Sequence, residues 1–186
     1  MNTLVIVSHP YASRSTAIKA LQATAEAMPG VTVRNLETLY GNNVAGFDIA
    51  SEQKAQEAAD RVVYLFPIHW FNLTPMLKAY QNEVWTYGWA FGPEGKALRG
   101  KEMQVVTTAG ASAFTYSAEG LIQSTMDEVL TPMKASAYYI GMNYNRPLAF
   151  HEAMGRDAEG LAAMQKAFAE CLEAPLVDHV AGRIQA

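Results

Sequence analysis

The segment SHPYASRSTA, at 8–17, combines groups that could bind a phosphate. It has hydroxyls at Ser13, Ser15 and Thr16, next to the start of a predicted helix. Hydroxyls, the free amides of a helix N-terminus and the helix dipole together favour an anion. The segment has no glycine, so it matches neither the dinucleotide fingerprint nor the P-loop. Ordinary N-capping by Ser13 or Ser15 is the alternative interpretation.

The segment FPIHWFNLTP, at 66–75, places aromatic side chains where a strand is predicted to end. Trp70 and Phe71 follow Pro67 and precede Pro75. Strand ends are commonly polar turns, so two adjacent aromatics there favour a flat ligand lying against them. Packing into the core is the alternative, because most aromatic pairs are buried.

The segment TTAGASAFTY, at 107–116, offers two hydroxyls and several small residues. Small residues allow the backbone to approach a ligand edge closely. Ligands of open parallel sheets bind beyond the carboxyl ends of the strands, where the strand order reverses, and all three segments follow predicted strands. A phosphate site, an aromatic wall and a polar edge together predict flavin mononucleotide, FMN.

The elements that would position these segments alternate between short apolar runs and helical patterns. Strands are predicted at 3–8, 31–36, 61–66, 102–110 and 135–142. Helices are predicted at 15–28, 51–60, 74–85, 119–134 and 157–174. The segments 37–50 and 86–101 are predicted to be irregular, and irregular segments of that length are often functional. The pattern predicts one α/β domain over 1–186, a doubly wound five-stranded parallel sheet with helices on both faces.

The composition excludes several classes of protein. The chain has 186 residues, is 50% hydrophobic and carries a net charge of −4, without a basic stripe that would bind nucleic acid. Its one cysteine, Cys171, excludes an internal disulfide, and the histidine spacing predicts no metal site. No apolar run is long enough to span a membrane and the start does not resemble a signal peptide, so a cytoplasmic location is expected.

Four motifs together resemble the NAD(P)H:quinone oxidoreductase family, which has a flavodoxin-like fold. They are HPYASRS, PIHWFNLTPMLKAY, GWAFGPEGKALRGK and TTAG, and the resemblance covers roughly 3–150. It is nearest to the small bacterial members, which include ancillary subunits of glutathione-gated potassium efflux systems. The resemblance implies the strand order 2-1-3-4-5.

The resemblance also implies which residues would contact FMN. The phosphate contacts would be His9, Ser15, Thr16 and Ala17. The contacts along the ring would be Pro67, Ile68, His69, Trp70 and Phe71. The contacts at the pyrimidine end would be Thr107, Thr108, Ala109 and Gly110, whose amides could stabilise an anion. Tyr116, near the reactive face, and His69 would be the catalytic residues.

Three positions depart from the family pattern. Ile18 stands where the family often has Asn, and Ala109 replaces a glycine. The larger animal enzymes have a histidine about five residues beyond the counterpart of Tyr116, where this chain has Leu121 and Ile122. His151, which follows RPLAF, could approach the pocket but is interpreted as structural.

The segment VWTYGWAFG, at 84–92, has aromatic residues at every second position. The resemblance implies a homodimer in which Phe91 borders the flavin of the partner subunit and Trp89 is buried at the interface. Packing of these side chains within one chain is the alternative.

The implied activity is a hydride transfer from NADPH or NADH to a quinone or similar flat acceptor, in a ping-pong order. There are three alternatives. The chain could be a flavodoxin-type electron carrier or an FMN-dependent azo- or nitroreductase. It could also be a regulatory ancillary subunit of a potassium efflux system, which would bind a membrane transporter.

Overall fold

The computed structural model describes the backbone of residues 1–177 and all their side chains except that of Ser13. Within this part, six strands form one parallel sheet in the order β2-β1-β3-β4-β5, and β6 also pairs with β4. The strands are β1 Thr3–Val7, β2 Val31–Asn35, β3 Arg61–Pro67, β4 Glu102–Thr108, β5 Asn143–Tyr144 and β6 Leu148–Phe150. The predicted flavodoxin-like α/β fold and its strand order are confirmed.

Helices cover both faces of the sheet. They are α1 Thr16–Glu26, α2 Leu36–Tyr40, α3 Ile49–Glu57, α4 Pro75–Val84, α5 Met126–Val129, α6 Thr131–Tyr139 and α7 Ala158–Glu173. One face packs against α1 and α7, and the other packs against α4 and α6. The three central strands are buried because both of their faces are covered, and β1 and β3 are near-continuous apolar runs.

The predicted fifth strand, at 135–142, is wrong. Residues 131–139 form α6, with Pro132 in its first turn, and the fifth position of the sheet is shared by the short strands β5 and β6. Of the helix predicted over 119–134, only α5 and the start of α6 are helical. Proline is tolerated in the first turn of a helix, where its missing N–H would have no intrahelical partner, so Pro132 is compatible with the start of α6.

The segment 37–50 is less irregular than predicted. It contains most of α2, which Asn35 caps through a hydrogen bond of 3.0 Å from the amide of Thr38. The next helix, α3, begins before the predicted residue 51, because the carboxylate of Asp48 accepts from the amide of Ser51 at 3.1 Å. The segment between α4 and β4 is irregular, as predicted.

Across residues 1–177, none of the helices combines the length and the apolar character that crossing a membrane requires.

Candidate functional site

The strand order reverses between β1 and β3, which opens a crevice between the segments that follow them. Ser8 and Thr74 join the two walls, because their hydroxyls lie 2.5 Å apart and both residues are fully buried. The hydroxyl of Ser8 also donates to Glu37 Oε1 at 2.8 Å. Thr74 accepts from the amide of Leu77 at 3.3 Å, so it caps α4 as well. Neither Ser8 nor Thr74 was predicted to fix the width of the crevice.

The first wall ends at the N-terminus of α1. Ser15 is its N-cap, and the Ser15 hydroxyl accepts from the amide of Ile18 at 3.2 Å. The capping interpretation of Ser15 is therefore correct, but the oxygen keeps its own hydrogen to donate. The amides of Thr16 and Ala17 open the helix, where amides have no intrahelical partner. The first turn has no acidic residue, so this end of α1 can accept an anion.

Two histidines face each other across the crevice. The ring centroids of His9 and His69 lie 6.4 Å apart, and the rings are nearly perpendicular. His9 Nδ1 accepts from the amide of Tyr11 at 2.9 Å, so a neutral His9 ring carries its proton on Nε2. Burial and, second, the neighbouring His69 lower the pKa of His9. A neutral His9 can therefore donate one hydrogen bond toward an anion at the start of α1.

The second wall carries Trp70 and Phe71 on a tight turn. The backbones of His69 and Asn72 exchange hydrogen bonds of 2.9 and 3.0 Å, and the two aromatic residues between them have φ angles of 45° and 61°. Two positive φ angles define a type I′ turn, which favours Asn and Gly. Trp70 is 93% exposed and Phe71 is 45% exposed, so neither is a core residue.

A costly backbone conformation that leaves a tryptophan in water is a known sign of a functional site. The turn continues from Pro67, the last residue of β3. It is joined to β4 by a hydrogen bond of 2.8 Å from the amide of Ile68 to the carbonyl of Thr108.

The third segment differs from the sequence expectation at two residues. Thr107 is fully buried, and its hydroxyl donates to the carbonyl of Phe66 at 2.8 Å, so its side chain is not available to a ligand. The amide of Ala109 donates to the carbonyl of Phe150 at 2.8 Å, so it cannot stabilise an anion in this arrangement. Gly110 is exposed at the end of the strand, and Thr108 is 6% exposed.

Tyr116 lies between aromatic rings from two other segments. Its ring centroid is 6.2 Å from that of Phe71 and 5.3 Å from that of His151. Burial raises the pKa of Tyr116 above its usual value. The phenol is therefore kept protonated at neutral pH, as a hydrogen-bond donor. The contact with His151 was not predicted, because the two residues are far apart in sequence.

The aromatic segment before β4 lies at the opposite, amino-terminal edge of the sheet. Trp85 is buried in its own chain, and Trp89 is partly buried, with its indole N–H donating to Glu57 Oε1 at 2.6 Å. Phe91 packs between Tyr87 and Tyr139, with ring centroids at 5.8 and 6.0 Å. Packing within the chain therefore accounts for the burial of the Trp85 side chain and for part of the burial of Trp89 and Phe91.

Phe91 also lines a groove of about 690 Å³ between α4 and α6. The seven residues of β4 separate this edge from the crevice by about 20 Å. Phe91 therefore cannot contribute to the crevice of its own chain.

The crevice thus combines an anion site at one end with an aromatic, solvent-facing wall beside it. Such a site suits a ligand that has a phosphate and a flat ring.

Comparisons with known proteins agree with the geometry. Residues 1–173 match the model of a protein family described as having a flavodoxin-like fold. The chain is 37% identical over 177 residues to General stress protein 14 of Bacillus subtilis (strain 168), covering 95% of this chain and 100% of that protein. It is 36% identical to a second Bacillus subtilis protein, named as an uncharacterized NAD(P)H oxidoreductase, covering 82% of this chain and 77% of that protein.

Three solved structures share the fold. General stress protein 14 of Treponema denticola, solved in complex with FMN, has a TM-score of 0.85 and 35% identity over 93% of this chain and 100% of that chain. An NADPH-quinone reductase of P. pentosaceus has a TM-score of 0.83 and 29% identity, covering 92% of this chain and 97% of that chain. A chain described as a thermophilic tryptophan halogenase of Streptomycin violaceusniger has a TM-score of 0.89 and 35% identity, covering 93% of this chain and 99% of that chain. The activities in these names differ, so overall similarity alone does not select a reaction.

Proposed function

The chain belongs to the family with a flavodoxin-like fold, and from that premise we propose that it is an FMN-dependent NAD(P)H oxidoreductase that reduces quinones or similar flat acceptors. Two named relatives support this activity, an NAD(P)H oxidoreductase at 36% identity and an NADPH-quinone reductase at 29%. The FMN complex of the Treponema denticola protein, at 35% identity, supports the cofactor.

One observation carries the proposal: the exposed Trp70 and Phe71, on a turn with two positive φ angles, stand across a crevice from the N-terminus of α1. The donors on the first wall suit a phosphate, namely the Ser15 hydroxyl, the amides of Thr16 and Ala17, and a neutral His9. The residues of the chain therefore fit FMN. The first wall has no glycine-rich segment that would hold a second phosphate and an adenosine, which argues against FAD.

When bound, FMN supplies a ring that accepts a hydride from a reduced nicotinamide and passes it to an acceptor. We assign Ile68, His69, Trp70 and Phe71 to holding the ring, because they form the wall beside the anion site. Thr108, the last residue of β4, and Gly110, two residues beyond it, lie at the same edge of the sheet as this wall. We assign them to contacts with the polar end of the flavin ring. Thr107 and Ala109 support this segment through their bonds inside the sheet.

Tyr116 and His69 are the proposed catalytic residues. Tyr116 is protonated at neutral pH, like any phenol whose pKa is not lowered, and it lies against Phe71, so its hydroxyl can donate to an oxygen of the acceptor. The face of the ring that this wall leaves open to solvent is assigned to both the nicotinamide and the acceptor. The two must then bind in turn, which is a ping-pong order.

The proposal is tested on the purified protein in two steps. The protein is denatured and the released flavin is identified by chromatography, with FMN as the expected result. Steady-state rates are then measured with NADPH and with NADH against quinone, azo and nitro acceptors. Recovery of FAD alone, failure to take up any flavin, or reduction of no quinone would contradict the proposal.

Ser15→Ala is expected to weaken FMN binding by about 1.5–3 kcal/mol, the scale of a hydrogen bond to a charged group. Riboflavin has no phosphate, so its affinity should change much less. Because Ser15 also caps α1, the variant should lose about 1 kcal/mol of unfolding free energy whichever flavin is bound. Both affinities can be measured by quenching of flavin fluorescence. Equal losses for the two ligands would show that Ser15 acts only as a cap.

We also propose that two copies of the chain form a homodimer in which Phe91 of each subunit borders the crevice of the other. Phe91 lies at the amino-terminal edge of its sheet, about 20 Å from its own crevice. A two-fold axis across the strands would bring that edge beside the partner's carboxyl-terminal edge. Both edges have exposed apolar rings, with Tyr87 72% exposed at the first and Phe114 68% exposed at the second. Such surfaces favour a protein interface.

The dimer predicts different effects for two variants. Phe91→Ser should raise the KM for the acceptor about 5- to 30-fold, the scale of losing an aromatic contact of about 1–2 kcal/mol, without releasing FMN. Trp89→Ser should loosen the dimer, with activity recovering as the protein concentration rises. Sedimentation and kinetics would be run in parallel on both variants and the wild type. A monomeric, fully active wild type would refute the shared site.

A transporter partner, an electron-carrier role and the cytoplasmic location stay predictions from the sequence.

A further inference from the structure

His151, directly after β6, is placed against Tyr116. The two ring centroids are 5.3 Å apart and the planes are inclined by 56°. His151 is partly buried, and its Nδ1 is shielded from solvent without a hydrogen-bond partner among the described residues. A buried polar atom that lacks a partner is uncommon and often marks a functional position.

The backbone fixes this contact. The segment around His151 is joined to the segment after β4 by three hydrogen bonds. They are Ala109 N to Phe150 O at 2.8 Å, Glu152 N to Ala111 O at 3.1 Å and Ala153 N to Ala109 O at 3.0 Å. Glu152 adopts a φ of 50°, which turns the chain directly after His151. The imidazole is therefore held beside the segment that carries Tyr116 by the backbone, independently of any side-chain contact.

His151 also lines a second cavity. A groove of about 570 Å³ runs along the β5–β6 edge of the sheet, and its polar lining includes Gln104, Thr125, Asp127, Arg146 and His151. The groove is open to solvent at Asp127 and Arg146, which are both exposed. The imidazole thus lies between a water-accessible groove and the phenol of Tyr116.

The proposed reaction needs a proton from outside the site. Reduction of a quinone by NAD(P)H consumes one proton: NAD(P)H, H⁺ and quinone give NAD(P)⁺ and hydroquinone. Tyr116 can donate that proton only if it is reprotonated in every turnover. A partly buried tyrosinate is unfavourable, so a neighbouring proton donor would remove a barrier.

We propose that His151 is the positioning residue that relays protons from the groove on the β5–β6 edge to Tyr116. The O–H bond of Tyr116 breaks as the new O–H bond of the reduced acceptor forms. An N–H bond of the His151 imidazolium then breaks as the phenol O–H bond is restored, and water in the groove reprotonates the ring. The net change is one proton moved from solvent to the acceptor. The relay rests on the quinone reductase activity proposed above.

Several titratable or charged groups contact His151 or line the same groove. Tyr116, in the segment after β4, contacts the ring, while Asp127 of α5, Arg146 of the β5–β6 connection and Cys171 of α7 line the groove. The guanidinium of Arg156 donates to the carbonyl of His151 itself at 2.9 Å.

The test separates flavin reduction, which needs no relayed proton, from reoxidation by the acceptor, which does. His151→Gln and His151→Phe are loaded with FMN and followed by anaerobic stopped-flow, first with NADPH and then with a soluble benzoquinone. Reduction is expected to stay within about twofold of wild type, while reoxidation slows about 100-fold in both variants. Tyr116→Phe should slow the same step, and the double variant should be no slower than the slower single variant. Cys171→Ser, which changes another residue of the groove, should leave both steps unchanged.

A measurement without turnover checks the contact itself. The ring ¹⁵N chemical shifts of His151, assigned by their loss in His151→Gln, are recorded in the flavin-free protein. Tyr116→Phe is expected to change the balance between the two neutral tautomers of His151. An unchanged spectrum would overturn the relay, as would full reoxidation activity in His151→Phe, which would mean that only ring packing is needed. A wild type that NADPH and NADH cannot reduce would instead overturn the proposed function, and the relay with it.

Discussion

Replacing Trp70 by Asn together with Phe71 by Gly is expected to stabilise the flavin-free protein and to weaken FMN binding strongly. Both residues have positive φ angles, in a turn type for which Asn followed by Gly is the preferred pair. Each bulky residue held in that region costs about 1–3 kcal/mol, and little contact within the chain offsets it for Trp70, which is 93% exposed. The double variant should therefore gain about 1–3 kcal/mol of unfolding free energy.

The same variant removes the aromatic wall of the crevice. Loss of one stacking partner costs about 1–3 kcal/mol, so loss of both should weaken FMN by about 2–5 kcal/mol, and Trp70→Ala alone by about 1–3 kcal/mol. Urea unfolding without flavin and fluorescence titration with FMN measure the two effects separately. Tyr138→Ala removes a 55% exposed aromatic ring at the end of α6 and should leave FMN affinity unchanged. Lower stability with unchanged affinity would mean that the turn is a structural element and not a binding wall.

Arg61→Ala is expected to lose about 3–5 kcal/mol of unfolding free energy, which is much of the 5–15 kcal/mol typical of a domain. Arg61 is 2% exposed at the start of β3, and its Nε donates to Glu102 Oε2 at 2.7 Å. Its other nitrogens donate to the carbonyls of Cys171, Leu172 and Pro175 at 3.1–3.3 Å, at or just beyond the end of α7. Alanine would leave a buried carboxylate without its counter-ion and three carbonyls without a donor.

An exposed ion pair on α7, the helix whose end Arg61 contacts, provides the control. Lys166 and Glu170 are both exposed on α7, with 4.0 Å between nitrogen and oxygen, so Lys166→Ala should cost about 0.5 kcal/mol or less. Urea unfolding of both variants measures the difference. FMN affinity of folded Arg61→Ala should match wild type, because Arg61 lies at the edge of the sheet opposite the crevice. A loss below about 1 kcal/mol would show that water satisfies these groups and that the pair does not hold α7.

The sequence alone determined the central sheet and the general place of the site. The strands β1, β3 and β4 are buried on both faces, and their bounds are close to those predicted; the apolar run is continuous in most of β1 and β3, whereas β4 alternates apolar with polar residues in its first half. The residues that start α1 and α4, Ser15 and Thr74, were also recognisable, because capping depends on a few neighbouring residues. In a parallel sheet the carboxyl ends share one edge, so the three segments that follow β1, β3 and β4 had to meet there.

The tertiary structure alone decided which groups of those segments are free to bind. Whether Thr107 presents its hydroxyl depends on the carbonyl of Phe66 in the neighbouring strand, and whether Ala109 has a free amide depends on Phe150. The contact between His151 and Tyr116 depends on β6 pairing with β4. The short edge strands were missed because two or three residues produce no periodicity, and Pro132 fits the end of one helix as well as the start of another. Local patterns determine elements, whereas the partner of each polar atom is determined by residues far away in the sequence.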